Sequence, residues 1–178
     1  MFFSFGLYAQ NGEEEMTKKE RRQAKKEQRQ QEYAAKQAKA LKMLQDKDIV
    51  LEANLLLGQK GETVQASPNI NFIAISGEDI HMQLGSANGI GWNGVGGVTF
   101  DGKMSVYEIY ENEKSGVVGV RIRYTNLLSR DVITIDLSIN GDRASARVNT
   151  AGRILTMQGN YMTAAESTVF KADNIRNY

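Results

Sequence analysis

After Asp48 the apolar residues of this chain fall on every second position. Val118, Val120, Ile122 and Tyr124 share one parity, as do Ile133, Ile135, Leu137 and Ile139, and then Ala144, Ala146 and Val148. The intervening parity carries Arg121, Arg123, Thr134, Asp136, Arg143 and Arg147. A period of two sends successive side chains to opposite faces of an extended backbone. Apolar on one side and polar on the other marks antiparallel strands with one buried and one wet face. The same alternation runs through Ile49, Leu51, Ala53, Leu55 and Leu57, through Ile73 and Ile75, and through Ile80, Met82 and Leu84. Turn-forming stretches such as "GQKGE", "SPN", "SGED", "FDGK", "EKSG", "LLSRD" and "TAGR" punctuate these runs. Asn140-Gly141 is the strongest turn signal, a hairpin whose two central residues both tolerate positive φ. The fold class expected is mainly β: an antiparallel meander of about eight to nine strands, a small up-and-down barrel or a sandwich, preceded by one long basic α-helix.

That helix is read from residues 17–47, a run without Gly or Pro that consists mostly of strong helix formers. Thr17 with Glu20 three positions later is a capping-box start. Its first half has hardly an apolar residue and is expected to project into solvent. In its second half Ala34, Ala38, Leu41 and Met43–Leu44 form a narrow apolar stripe that would dock on the β-domain. Ahead of it, residues 10–16 read as an acidic linker. Residues 1–9, "MFFSFGLYA", read as the end of a secretory signal with cleavage after Ala9. A start codon assigned too far downstream would account for the missing basic n-region and the short apolar core. An N-terminal strand is the other reading of this segment. The β-domain is then 48–162, and 163–178 is a tail that wraps the surface or frays.

The net charge of +1 argues against a general nucleic-acid or membrane binder, but it conceals an uneven layout. Residues 17–47 hold 11 Lys/Arg against 4 Asp/Glu, whereas from Asp48 onward there are 11 Lys/Arg against 14 Asp/Glu. The absence of cysteine excludes disulfides, thiolate metal sites, cysteine nucleophiles and an N-terminal lipoprotein anchor. No stretch approaches the ~20 apolar residues of a membrane-spanning helix. His81 is the single histidine, which excludes a two-histidine metal site; it sits on the polar parity and is expected to be an exposed strand residue. The carboxylate pairs Glu78-Asp79 and Glu111/Glu113 adjoin turns, and nothing marks them as a catalytic pair. Arg121, Arg123, Arg143 and Arg147 either form a basic stripe or pair across strands with Asp131, Asp136 and Glu108, and pairing is the reading adopted. No catalytic, cofactor or metal residues are assigned.

The stretch "GSANGIGWNGVGGVTFDG" places Gly89, Gly91 and Gly94 at the spacing of a dinucleotide-binding fingerprint. That fingerprint requires a helix after the glycines, so that the pyrophosphate rests on the helix N-terminus. Here Gly96–Gly97 lead into Val98-Thr99-Phe100, a strand entry, and nucleotide binding is set aside. What remains is a bent β-connection with Trp92, the one tryptophan, flanked by Asn88 and Asn93. These three are the candidate ligand-binding residues, an aromatic platform among amides at the barrel mouth. The other reading is a tryptophan that folds back to plug that end.

The order of features resembles a domain-of-unknown-function family of small secreted proteins abundant in Bacteroidetes. The resemblance rests on "LYAQ", the Lys/Arg/Gln/Ala helix, "IVLEAN", "SPNINFIAISGEDI", Leu84, "GVGGVTFDGK" and the alternating meander, from Ile49 to about Met157. It implies a secreted or periplasmic antiparallel β-domain and brings no catalytic residues. After Leu84 the family pattern has a proline and aromatics where this chain has "GSANGIGW", so an aromatic ligand platform does not carry over. The expected function is an exported, non-enzymatic binding module for a small ligand or an envelope partner, located in the periplasm or secreted. The basic helix 17–47 is then a spacer or a peripheral electrostatic contact with an anionic surface, without a transmembrane span. The alternative is a nucleic-acid- or ribosome-associated protein that uses this helix; a hydrolase without recognisable motif is third.

Overall fold

The computed structural model describes residues 17–86, 96–112 and 115–169. One helix, α1 (Lys18–Gln45), is followed by nine strands: β1 (Asp48–Gly58), β2 (Thr63–Gln65), β3 (Phe72–Ser76), β4 (Asp79–Leu84), β5 (Val98–Asn112), β6 (Val117–Asn126), β7 (Val132–Asn140), β8 (Arg143–Thr150) and β9 (Arg153–Met162). Every pairing is antiparallel, and β1 pairs with β9 to close the sheet. The result is an eight-stranded barrel of β1 and β3–β9. The extra strand β2 pairs with the last residues of β1, beyond the reach of β3. The choice between barrel and sandwich is thereby decided, since closure removes both sheet edges.

Alternation in β6, β7 and β8 sends the expected residues inward: Val118, Val120, Ile122, Tyr124, Ile133, Ile135, Leu137, Ile139, Ala144, Ala146 and Val148 are all buried in one core. β1 departs from its expected parity. Ile49, Leu51 and Ala53 face the core, but a bulge between Ala53 and Leu55 hands the inward position to Leu56. Leu55 is left on the outer face, because an extra residue reverses the parity of all that follow. A second bulge between Met104 and Val106 lets Met104 and Tyr107 both reach the core. The "NGD" turn is also displaced by one residue. Asn140 pairs with Arg143, so Gly141-Asp142 is the two-residue loop. Gly141 alone of the two has positive φ, at 60°, in the slot a type II′ turn reserves for glycine.

The outer face of β1 and β3 is not wet. Val50, Phe72 and Ala74 point outward and are buried, with Val169 of the C-terminal segment packed against them. That segment is tied down by Ala164 N to Asp48 Oδ1 at 3.0 Å and by Ser167 Oγ to Glu52 Oε1 at 2.8 Å. The described part of the tail therefore wraps, as one of the two readings had it.

The chain divides after Tyr33 into two units. Within the second, the last turns of α1 bury Ala40, Met43 and Leu44 in the barrel core. Ala34 and Ala38, expected to dock, are exposed. The Tyr107 hydroxyl donates to the Leu44 carbonyl at 2.6 Å, satisfying a helix-end acceptor with a strand side chain. Lys47, at φ 51°, ends the helix, and its carbonyl accepts from Gly77 N in the β3–β4 turn. Lys36 meets Asp142 of the β7–β8 turn at 2.7 Å. Alternate turns of an up-and-down barrel lie at one end, so these contacts set the last turns of α1 across that end as its plug.

Candidate functional site

Trp92, Asn88 and Asn93 lie outside the described residues, as do Gly89, Gly91 and Gly94 and the cleavage point after Ala9. The glycine run re-enters at Gly96, with φ 75°, and leads straight into β5. A Cβ on Gly97 would fall 1.7 Å from the Leu84 carbonyl oxygen, so the glycine permits a close approach between strands. No helix follows the run, in keeping with its rejection as a dinucleotide cradle.

The outer wall carries a recess of about 480 Å³ lined by Asn54, Gln65, Ser138, Asn140, Arg143, Ser145 and Gln158, among others. Register creates it. Ser138 pairs with Ser145, Ser145 with Gln158, Gln158 with Leu55, and Leu55 with Gln65. One row of side chains therefore crosses five strands, from β7 through β8, β9 and β1 to β2, at ~4.8 Å per strand. Next to it Asn140 pairs with Arg143, whose Nη1 donates to Asn160 Oδ1 at 3.3 Å. The β1 bulge turns Asn54 toward this surface, and Gly159 floors it with no side chain of its own. Amides and hydroxyls both donate and accept, so the groove offers mixed hydrogen bonding with one cation and no carboxylate.

A second recess, of about 250 Å³, lies over β3–β5 and is bordered by Ala74, Ser76, Asp79, His81, Asp101 and Leu127. His81, expected to be exposed, is half-buried with its ring stacked on Phe72 at a centroid distance of 5.5 Å. Its Nδ1 bonds the Asp101 carboxylate, the residue directly opposite on β5. A carboxylate-oriented imidazole is half of an acid–base device. Here its Nε2 is sealed from solvent and has no partner among the described residues. No group of three or more His, Cys, Asp or Glu suited to a metal occurs among the described residues either. The sequence placed His81 on a polar parity but read Asp101 as part of the turn "FDGK"; the structure instead carries Asp101, Gly102 and Lys103 within β5, paired with β4, which is what sets the carboxylate opposite the ring.

Of the arginines, Arg121 Nε pairs with Asp136 Oδ1 at 2.9 Å, and Glu108 lies opposite on its other side. The Asp136 carboxylate holds the Arg121 guanidinium above its ordinary pKa. For Arg121 the cross-strand reading stands. Arg143 instead bonds the amide of Asn160.

The fold and surface define a closed antiparallel barrel with a helical plug and a polar groove on its outer wall. Residues 30–161 match the family model described as "Domain of unknown function (DUF4251)". The chain belongs to that family. It is also similar to a crystal structure of a DUF4251 family protein from Bacteroides eggerthii DSM 20697, at 25% identity and a TM-score of 0.62, covering 79% of this chain and 95% of that one. The Bacteroidetes resemblance read from the sequence is thus supported. No curated protein matches. No helix among the described residues is long and apolar enough to cross a membrane.

Proposed function

We propose that this protein is an exported, non-enzymatic binding module that holds a neutral polyhydroxyl ligand, a glycan, in the outer-wall groove. The observation that carries the reading is the row Ser138–Ser145–Gln158–Leu55–Gln65 with Asn54, Asn140 and Arg143 beside it. Sugar hydroxyls donate and accept in turn, and amides and serines reciprocate both roles. A phosphorylated or carboxylated ligand would call for more cations than Arg143. The lining has no carboxylate or histidine to move a proton, which favours holding over reacting. Export is supported by the apolar "MFFSFGLYA" ahead of Gln10 and the acidic stretch, and mass spectrometry of the mature N-terminus in a periplasmic fraction tests it.

The groove is tested by isothermal titration across a panel of neutral glycans with Gln158→Leu and Arg143→Ala variants. Each lost groove hydrogen bond is expected to weaken binding by about fivefold, on the basis of ~1 kcal/mol for a neutral pair, and by more for the arginine. If no glycan binds, or if both variants bind as the parent does, the assignment is wrong. Loss on Trp92→Ala with the groove variants unaffected would return the site to the glycine-rich connection.

A further inference from the structure

The described part of the N-terminal unit is the first half of α1, and every residue from Thr17 to Glu32 is exposed. At 3.6 residues per turn, Lys18, Lys19, Arg22, Lys25, Lys26 and Arg29 fall within an arc of about 120° that extends some 16 Å along the axis. Glu20 and Glu27 lie on the opposite side. The acids do not neutralise this face. Glu20 accepts from the Thr17 amide at 2.7 Å, Glu27 from Gln23 at 2.7 Å and Glu32 from Gln28 at 2.8 Å. Among the described residues the six cations form no ion pair; the lysines and arginines that do are Lys36, Lys39, Lys42, Lys103 and Arg121.

We infer that this one-sided cationic face docks the protein, flat and without insertion, on an anionic lipid bilayer surface. Charge complementarity names the class of partner, because an unpaired row of six cations demands a dense array of anions. Geometry selects a plane. A planar headgroup layer meets a single face, whereas a nucleic-acid groove would also bring phosphates against the flanks, where Gln23 and Gln30 lie on one side and Arg21 with Glu32 on the other. The arc has no Leu, Ile, Phe or Trp; Tyr33, at its end, is its one aromatic. Attraction therefore rests on charge and is expected to be reversible and salt-sensitive. The inference is independent of the groove, since a vesicle assay contains no glycan.

The test is flotation of the full chain with phosphatidylcholine vesicles, with and without phosphatidylglycerol. Lys25→Gln/Arg29→Gln is compared with Ala24→Glu/Gln31→Glu, which changes net charge equally on the far face. Binding is expected only with phosphatidylglycerol, and to fade with added salt. Each cation at the surface contributes about fivefold, so the first pair should lose about 25-fold and the second less than about threefold. Equal losses would mean that only net charge matters and would overturn the inference. So would binding to phosphatidylcholine alone, or no binding at all. Tighter binding to duplex DNA or RNA than to the vesicles would overturn it in favour of a nucleic-acid partner.

Discussion

Gly159 sits where the barrel closes and where the groove has its floor, and replacing it with alanine tests both. Its partners in register are Ala53 on β1 and Ala144 on β8. A Cβ at this position would lie 1.8 Å from the Glu52 carbonyl oxygen and 2.9 Å from Ala53 Cα. Both are backbone atoms, so no side chain can swing aside. To reach even a tight contact of about 3.0 Å, β1 and β9 must part by more than 1 Å next to the β1 bulge, where the ladder is already interrupted. Overpacking alone costs about 1–3 kcal/mol. Two seam hydrogen bonds stretched beyond use add about 1 kcal/mol each. The expected loss is about 3–5 kcal/mol, which for a chain of this size is a fall in Tm of roughly 10–15 °C. Gly77→Ala is the control: its φ is +60° but its Cβ would meet nothing within 4 Å, so it should cost only about 1 kcal/mol from the left-handed backbone. The assay is thermal and urea unfolding followed by circular dichroism. If Gly159→Ala melts within about 3 °C of the parent, the seam is not closed as described and the groove built across it falls as well.

Two tyrosines should respond with opposite sign to loss of the hydroxyl. Tyr107→Phe removes the shorter of two bonds to the Leu44 carbonyl, which still accepts from Lys47 N at 3.2 Å, so the expected loss is that of one hydrogen bond, about 0.5–1.5 kcal/mol in urea unfolding. Tyr124→Phe removes a buried hydroxyl that has no partner among the described residues, so it should be neutral or stabilise by about 1 kcal/mol; destabilisation would show that the hydroxyl is satisfied. Alkaline titration reads the same groups. Burial pushes the Tyr107 pKa up to about 12 and raises that of Tyr124 further. Each is raised above its unfolded value near 10, so the folded state holds the proton more tightly; this contribution to stability is intact below pH ~10 and is lost as pH rises toward 12. Tyrosinate absorbance should show a fraction that ionises only near or above pH 12, smaller in Tyr107→Phe; a single titration near pH 10 for all seven tyrosines would refute the burial.

Legibility in the sequence followed how local the cause was. β6, β7 and β8 were readable because each strand alternates without interruption and its wet face is polar. β1 was half-readable: the bulge at Asn54 is set by pairing with β9, and nothing in "EANLLL" announces it. The docking stripe of α1 was right at Leu41, Met43 and Leu44, which pack in the core, and wrong at Ala34 and Ala38, because Ala34, Ala38 and Ala40 look alike to a hydrophobic pattern. The docked face runs through half-buried Gln37 and buried Ala40 and Leu44, and the Gln37 amide has no partner among the described residues. Phe72 and Ala74 read as ordinary strand residues, because their cover arrives from Val169, almost a hundred residues later. The groove was invisible for the same reason. Its serines and glutamines become a row only once five strands are in register.

Barrel closure and charge segregation explain why both proposed binding surfaces lie outside the interior. Inward positions are taken up by side chains such as Tyr124, Ile122 and Ile135, none of them exposed. The groove proposed for recognition lies on the outer wall, where the β1 bulge and Gly159 make room that a regular convex surface lacks. The helix makes a parallel argument. Its last turns are nucleated by packing, and propagation from a formed turn is far less costly than starting one. The capping box at Thr17 and the Gln23–Glu27 and Gln28–Glu32 bonds then suffice to carry the helix through residues that bury nothing. Helix stability alone would favour pairing each glutamate with a lysine four positions on. Here the glutamates take glutamine and backbone donors instead, and six of the seven cations of this half remain gathered on one face. That arrangement forgoes local stabilisation, and the proposed anionic surface would give it a use.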